Sequence, residues 1–181
     1  MDLLSVTKAY KTKFGEIMTT TYNAQLLHAQ RFLNVLGDIN VLYNKGGVNR
    51  EKAIEQLGQK WLQIQHAQAW ANTTAPSDST AAYLCWSYPL AGEDVLPLLL
   101  SLEERTTWLE SALYQAHKAE QTSDITARLL YHLGKIARLK GNFEKAKDYF
   151  LEAFRVVQHS SQSDTYTLIL LELFIVKTNQ L

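Results

Sequence analysis

Arg128, Tyr131, Lys135 and Arg138 are spaced 3, 4 and 3 residues apart, with His132 beside them. That spacing puts their side chains on one face of a helix. A stripe of cations with one phenol can make charge-assisted hydrogen bonds, which are shorter and stronger than neutral ones. The group it suits is a carboxylate, on an acidic peptide or at a chain terminus. The alternative is a solvated basic face, which single helices often carry.

Other reactive residues point to less. The chain has no HExxH, CxxC, GxSxG or GxGxxG run. The histidines, at 28, 66, 117, 132 and 159, never stand at the i, i+4 spacing of a helical metal site. No metal and no cofactor are expected. Cys85 lies between Leu84 and Trp86 with no evident base to activate it, so it reads as a small buried apolar residue. Glu103-Glu104 falls in a first helical turn, where acids favour the positive end of the macrodipole. Trp61, Trp86 and Trp108 lie on or beside apolar stripes and read as core, whereas Trp70 stands off its stripe and is expected against the Pro76 connection. No catalytic residues emerge, and the expectation is a non-enzyme. An enzyme reading would need a site in the irregular 72–100 segment.

These side chains have to be positioned by helices. The only prolines are Pro76, Pro89 and Pro97, so long segments on both sides lack helix breakers. Helices are expected over Thr20–Asn44, apolar on two faces, and over Val48–Ala71, with Gly46-Gly47 between them. Asp78 or Ser79 can cap a shorter helix, Thr80–Tyr88, that stops before Pro89. Ser101 and Glu104 have the form of a capping box opening Leu102–Ala119. Asp124, Asn142 and Asp164 open three more helices, the last over Thr165–Thr178. No segment alternates with period two, so no strands are expected.

Residues 127–160 resemble one tetratricopeptide repeat. Leu133-Gly134, Ala137, Gly141, Ala146, Phe150 and Ala153 stand at its characteristic places. The repeat wants small residues there so that two antiparallel helices can approach closely. Gly134, Ala146 and Ala153 are the small partners, and Leu130, Leu133, Tyr149 and Phe150 the large ones. Gly141-Asn142 makes the turn. Ala137, usually aromatic, and Gln158, usually proline, depart from the pattern. The resemblance implies that the first helix lines a concave groove, so that Arg128, Tyr131, His132, Lys135 and Arg138 face a partner.

Upstream, the runs Gln63-Ile64-Gln65, Gln68-Ala69-Trp70-Ala71, Cys85 to Gly92, and Glu104-Arg105 with Trp108-Leu109-Glu110 resemble part of bacterial STAND-type signalling proteins. The similar part is the helical region between an NTPase core and a repeat array, and it covers roughly residues 22–160 here. The GxxxxGK[ST] phosphate loop of that core is missing, because Gly46-Gly47 runs into Val48-Asn49-Arg50. The resemblance therefore implies a sensor or interaction region without ATP hydrolysis.

The bulk numbers agree with a globular protein. Of 181 residues, 46% are hydrophobic and 20% charged, with a formal net charge of zero. Neutrality disfavours the alternative of a nucleic-acid-binding regulator, and salt dependence would separate that alternative. A single cysteine excludes an intrachain disulfide and fits a reducing compartment. The N-terminus has no signal-peptide pattern, and the longest apolar stretch, Leu168–Val176, is broken by Glu172. A membrane-spanning helix needs about 20 apolar residues. A cytoplasmic protein with no membrane partner is expected.

The expected fold is all-α, a right-handed helical-hairpin array. Its parts are an extension over 1–19 that can be helical, degenerate hairpins over 20–122, and a repeat with a capping helix over 123–181. The expected function is protein–protein interaction, as an adaptor or regulatory sensor. The last helix is more apolar than a solvated cap, so self-association through Ile169, Leu173, Ile175 and Val176 is also expected. A two-fold dimer would be the simplest closed form.

Overall fold

Long segments without proline become long helices. The computed structural model describes the backbone of residues 3–120, 123–157 and 164–178, with their side chains from Thr19 onward except those of Ser123, Asp164, Phe174, Lys177 and Thr178. Seven α-helices follow in order: α1 Leu3–Asn44, α2 Gly47–Thr74, α3 Ser79–Ala91, α4 Leu102–Lys118, α5 Ser123–Leu139, α6 Phe143–Val157 and α7 Asp164–Thr178. Among the described residues no strand occurs, and a 3-10 turn at Leu96–Leu98 is the only other regular element.

Two boundaries differ from the sequence reading. Helix α1 runs unbroken through residues 19 and 20, so the expected extension is continuous with the first long helix. Helix α3 runs past Pro89 to Ala91 instead of stopping at Tyr88. Pro89 gives up the hydrogen bond its own N–H would have donated and crowds the carbonyl four residues back, and the helix ends two residues later.

The helix ends show why the chain turns where it does. Gly46 and Gly47, at φ of 71° and 54°, make the α1–α2 turn in a left-handed conformation that glycine tolerates. Asp78 caps α3 by accepting from the Ala81 N–H at 2.7 Å. Ser101 and Glu104 form the reciprocal capping box of α4. Helix α5 ends in paired bonds, Asn142 N–H to the Ala137 carbonyl and Gly141 N–H to the Arg138 carbonyl, each 2.9 Å. With Gly141 at φ 76° this is a Schellman end, and the Asn142 side chain then caps α6.

Packing proceeds along the chain in three overlapping cores. The first joins α1, α2 and α3 through Leu36, Ile39, Leu57, Ile64, Leu84 and Tyr88, whose hydroxyl donates to the Ala29 carbonyl at 2.7 Å. The second joins α3, α4 and α5 through Cys85, Trp86, Leu109, Leu129, Leu133 and Ile136. The third joins α5, α6 and α7 through Leu130, Ala146, Phe150, Ala153, Ile169 and Val176. Helix α5 is apolar on two sides and belongs to both later cores, as a helix packed on both sides must be.

Hairpin α5–α6 is the tightest joint. A methyl built on Gly134 would lie 2.5 Å from the Phe150 ring, so glycine is what lets the two helices close. Helix α7 then runs beside α5 in the same direction. The Thr165 hydroxyl donates to Asp124 at 3.3 Å near the start of both helices, and Glu172 pairs with Arg138 at 3.0 Å further along. No helix among the described residues is long and apolar enough to cross a membrane.

Candidate functional site

The segment from Gly92 to Val95 enters the space in front of α5, and it is held there from behind by α1. Gly92 lies so close to α1 that a methyl on it would meet the Leu36 side chain at 2.8 Å. The buried Asn40 side-chain carbonyl accepts from the Asp94 and Val95 N–H groups at 2.9 and 3.2 Å. The amides of Asn40 and Asn44 donate to the Asp94 carboxylate at 3.2 and 2.7 Å. This clamp aims Glu93 at α5.

Glu93 there meets two of the stripe residues. One oxygen, Oε2, sits 2.8 Å from His132 Nε2 and 3.2 Å from Arg128 Nη2. The hydrogen bond from His132, followed by the charges of His132 and Arg128, holds the Glu93 carboxyl below the ordinary glutamate range against the opposing effect of its burial. Glu93 is therefore ionised at neutral pH.

Around this contact is an open cleft of about 490 Å³, lined by Glu93, Asp94, Asp124, Arg128, Tyr131, His132, Lys135, Thr165 and Leu168. Four of the five expected partner-binding residues, Arg128, Tyr131, His132 and Lys135, thus share one concavity between the 92–95 segment and α7. Arg138 does not line it and pairs instead with the buried Glu172 of α7. Lys135 places its ammonium 5.2 Å from the centre of the Tyr131 ring, a cation–π contact. It has no carboxylate partner among the described residues.

The charge of the cleft is a correction. Sequence spacing describes a basic stripe, yet the fold sets Glu93, Asp94 and Asp124 around it, so the lining is mixed. Two of those acids come from a segment well upstream, Glu93 lying 35 residues before Arg128 and 39 before His132. No local pattern reports such a neighbour. The available signal was the irregularity of 91–100, together with two adjacent acids within it.

Behind the Glu93–His132 contact lies a chamber of about 20 Å³, room for a single water by the usual measure. Leu96, Leu100, Trp108, Leu109 and Arg105 line it, and burial lowers the pKa of the Arg105 guanidinium. A second cleft of about 500 Å³ lies between α1 and α2, lined by Thr20, Thr21, Ala24, Gln25, His28, His66 and Trp70. His28 is committed to the Phe32 ring at 4.6 Å. Trp70 packs on Tyr22 of α1 at 5.8 Å, and the Tyr22 hydroxyl in turn donates to Asp78, just after the Pro76 connection, at 2.8 Å.

The remaining reactive residues have structural surroundings. Cys85 is buried, its thiol is pushed up to about 11 by desolvation, and it approaches Asn72 Oδ1 at 3.6 Å. Glu104 closes the capping box, and Glu103 pairs with Lys140 at 3.3 Å. Trp61 and Trp108 stack at 6.3 Å between α2 and α4, and Trp86 is buried. Among the described residues no group of His, Cys, Asp or Glu could hold a metal ion. His159 lies outside the described residues.

The expected self-association residues are placed differently from their reading as a surface. Ile169 and Val176 are buried in the third core and Leu173 packs against it. Ile175 is half-buried. Among the described side chains of α7, the exposed apolar ones are Leu168, Leu170 and Leu171. The uniformly apolar sequence of α7 hid which face turns inward, and the Glu172–Arg138 pair fixes it.

Comparison with protein-family models, curated proteins and solved structures finds no match to this chain.

Proposed function

We propose that this chain is a protein–protein interaction module whose α5 cleft takes an acidic segment of a partner. The observation that carries the reading is the cleft itself. Arg128, Tyr131, His132 and Lys135 converge there, and a carboxylate already rests on two of them. Lys135 supplies a cation with no carboxylate of its own among the described residues, and the largely buried Tyr131 holds it through the cation–π contact.

The finer architecture belongs to the same proposal. The Gly134–Phe150 approach, the glycine turn at Gly141 and the parallel course of α5 and α7 support a tetratricopeptide-like array. In such an array α5 and α7 would be successive inner helices, and the cleft between them the groove. A regulatory role akin to the helical region of STAND-type switches rests on the upstream residue runs alone.

The test is calorimetry with N-acetyl-hexaglutamate amide as an acidic probe and hexaglutamine as a neutral one. The acidic probe should bind and the neutral one should not. Lys135→Glu should weaken the acidic probe about tenfold, since it removes a charge-assisted contact and adds repulsion. Equal binding by wild type and Lys135→Glu would mean that the cleft is not the site.

A further inference from the structure

We propose that Glu93 is an internal occupant of the carboxylate position in the α5 cleft, and that an acidic partner binds by displacing it from Arg128 and His132. This rests on the reading of the cleft as a binding site and adds what the site holds when empty of partner.

Three observations carry it. First, Glu93 comes from outside the α5–α6 hairpin and reaches the stripe as a ligand would, with one oxygen bridging Arg128 and His132 at 3.2 and 2.8 Å. Second, its segment is not loosely placed. The Asn40 clamp on Asp94 and Val95, and the close seat of Gly92 on Leu36, fix the backbone on both sides of Glu93. Only the glutamate side chain has to rotate for the position to open, so displacement needs no rearrangement of the helices. Third, the contact is solvent-accessible, with the Arg128 and Glu93 side chains about one-third exposed at 36% and 30%. A competing carboxylate can approach from the cleft.

An internal occupant lowers apparent affinity by the fraction of time the position is open. If Glu93 occupies it about nine-tenths of the time, removing its charge tightens binding about tenfold. Glutamine keeps the shape of the side chain and loses the charge.

The experiment measures N-acetyl-hexaglutamate amide binding to wild type, Glu93→Gln, Glu93→Ala, Arg128→Gln and the double variant Glu93→Gln/Arg128→Gln. Far-ultraviolet circular dichroism checks each fold, and the alanine variant serves if the glutamine one is unstable. The expected result is about tenfold tighter binding by either Glu93 variant than by wild type, while the double variant binds no tighter than Arg128→Gln. Equal affinity of wild type and Glu93→Gln would overturn the occupant proposal and leave the cleft as a binding site. The same gain of the double variant over Arg128→Gln would also overturn it, because the gain would then come from general charge and not from the vacated position. Binding by none of the proteins would overturn both readings.

Discussion

Hairpin α5–α6 and the longer pair α1–α2 solve the same packing problem in opposite ways. In α5–α6 a glycine is buried under an aromatic ring, and the two helices close around it. In α1–α2 the helical glycines, Gly37 and Gly58, have nothing within 4 Å of where a methyl would sit. That pair relies on length and on buried alanines such as Ala29, Ala53, Ala67 and Ala71 instead. The same residue type is thus a packing device in one region and a plain helix defect in the other. The two regions also carry clefts of similar size and opposite character, one charged and partly filled by Glu93, the other faced by Trp70 and two histidines.

The largest effect expected from breaking this contrast is at Phe150. Phe150→Ala empties a fully buried ring site, which costs about 3–5 kcal/mol. For a domain of this size each kcal/mol lowers Tm by roughly 2–4 °C. A thermal melt should therefore fall by roughly 6–20 °C, the product of those two ranges. A melt within two degrees or so of wild type would mean that the α5–α6 interface is not a folding core, on the same scale.

Glycine-to-alanine substitution sharpens the comparison because its sign should differ between the regions. Gly134→Ala forces a methyl into the Phe150 ring and should cost about 1–3 kcal/mol, as overpacking does. Gly37→Ala and Gly58→Ala meet open space in helices and should each stabilise by about 0.4–1 kcal/mol. Denaturant melts read both. Destabilisation of the same size at all three positions would erase the distinction.

A smaller effect concerns acid. Glu93 near the α5 cleft and Asp78 beside α1 both have folded carboxyl pKa values below their ordinary 4.5 and 3.8. For Asp78 the main cause is the Ala81 N–H, then the Tyr22 hydroxyl. A depressed folded pKa adds stability that is present above the ordinary value and is lost as pH falls through the folded one. Lowering pH from 6 to about 3 should thus reduce Tm less in Glu93→Gln than in wild type, with Asp78→Asn as the matching probe of the other region. An unchanged pH dependence in Glu93→Gln would mean that Glu93 makes no net contribution to folding.

Legibility in the sequence follows the range of the interactions. Helix positions were readable because periodicity, caps and glycine turns act within a few residues; Ser101–Glu104 and Gly141-Asn142 are both local devices. The small-to-large pattern of Gly134 and Phe150 was readable because a hairpin brings near neighbours together. The clustering of Arg128, Tyr131, His132 and Lys135 followed from helix geometry. The acids facing them did not, because Glu93 reaches the stripe only through the Asn40 clamp on a distant helix. Arg138 was misplaced for the same reason, since its partner Glu172 lies on α7. On α7 itself the apolar residues gave no stripe from which to choose the inward face.

The α5 cleft and the α1–α2 cleft can be told apart by one titration. Amide and side-chain NMR shifts of the 181-residue chain are followed as N-acetyl-hexaglutamate amide is added. Saturable shifts are expected at Arg128, Tyr131, His132, Lys135 and the Glu93 segment, with the signals of His28, His66 and Trp70 unmoved. Saturable shifts centred on Trp70 and the histidines of α1 and α2, with α5 silent, would contradict the α5 cleft as the binding site.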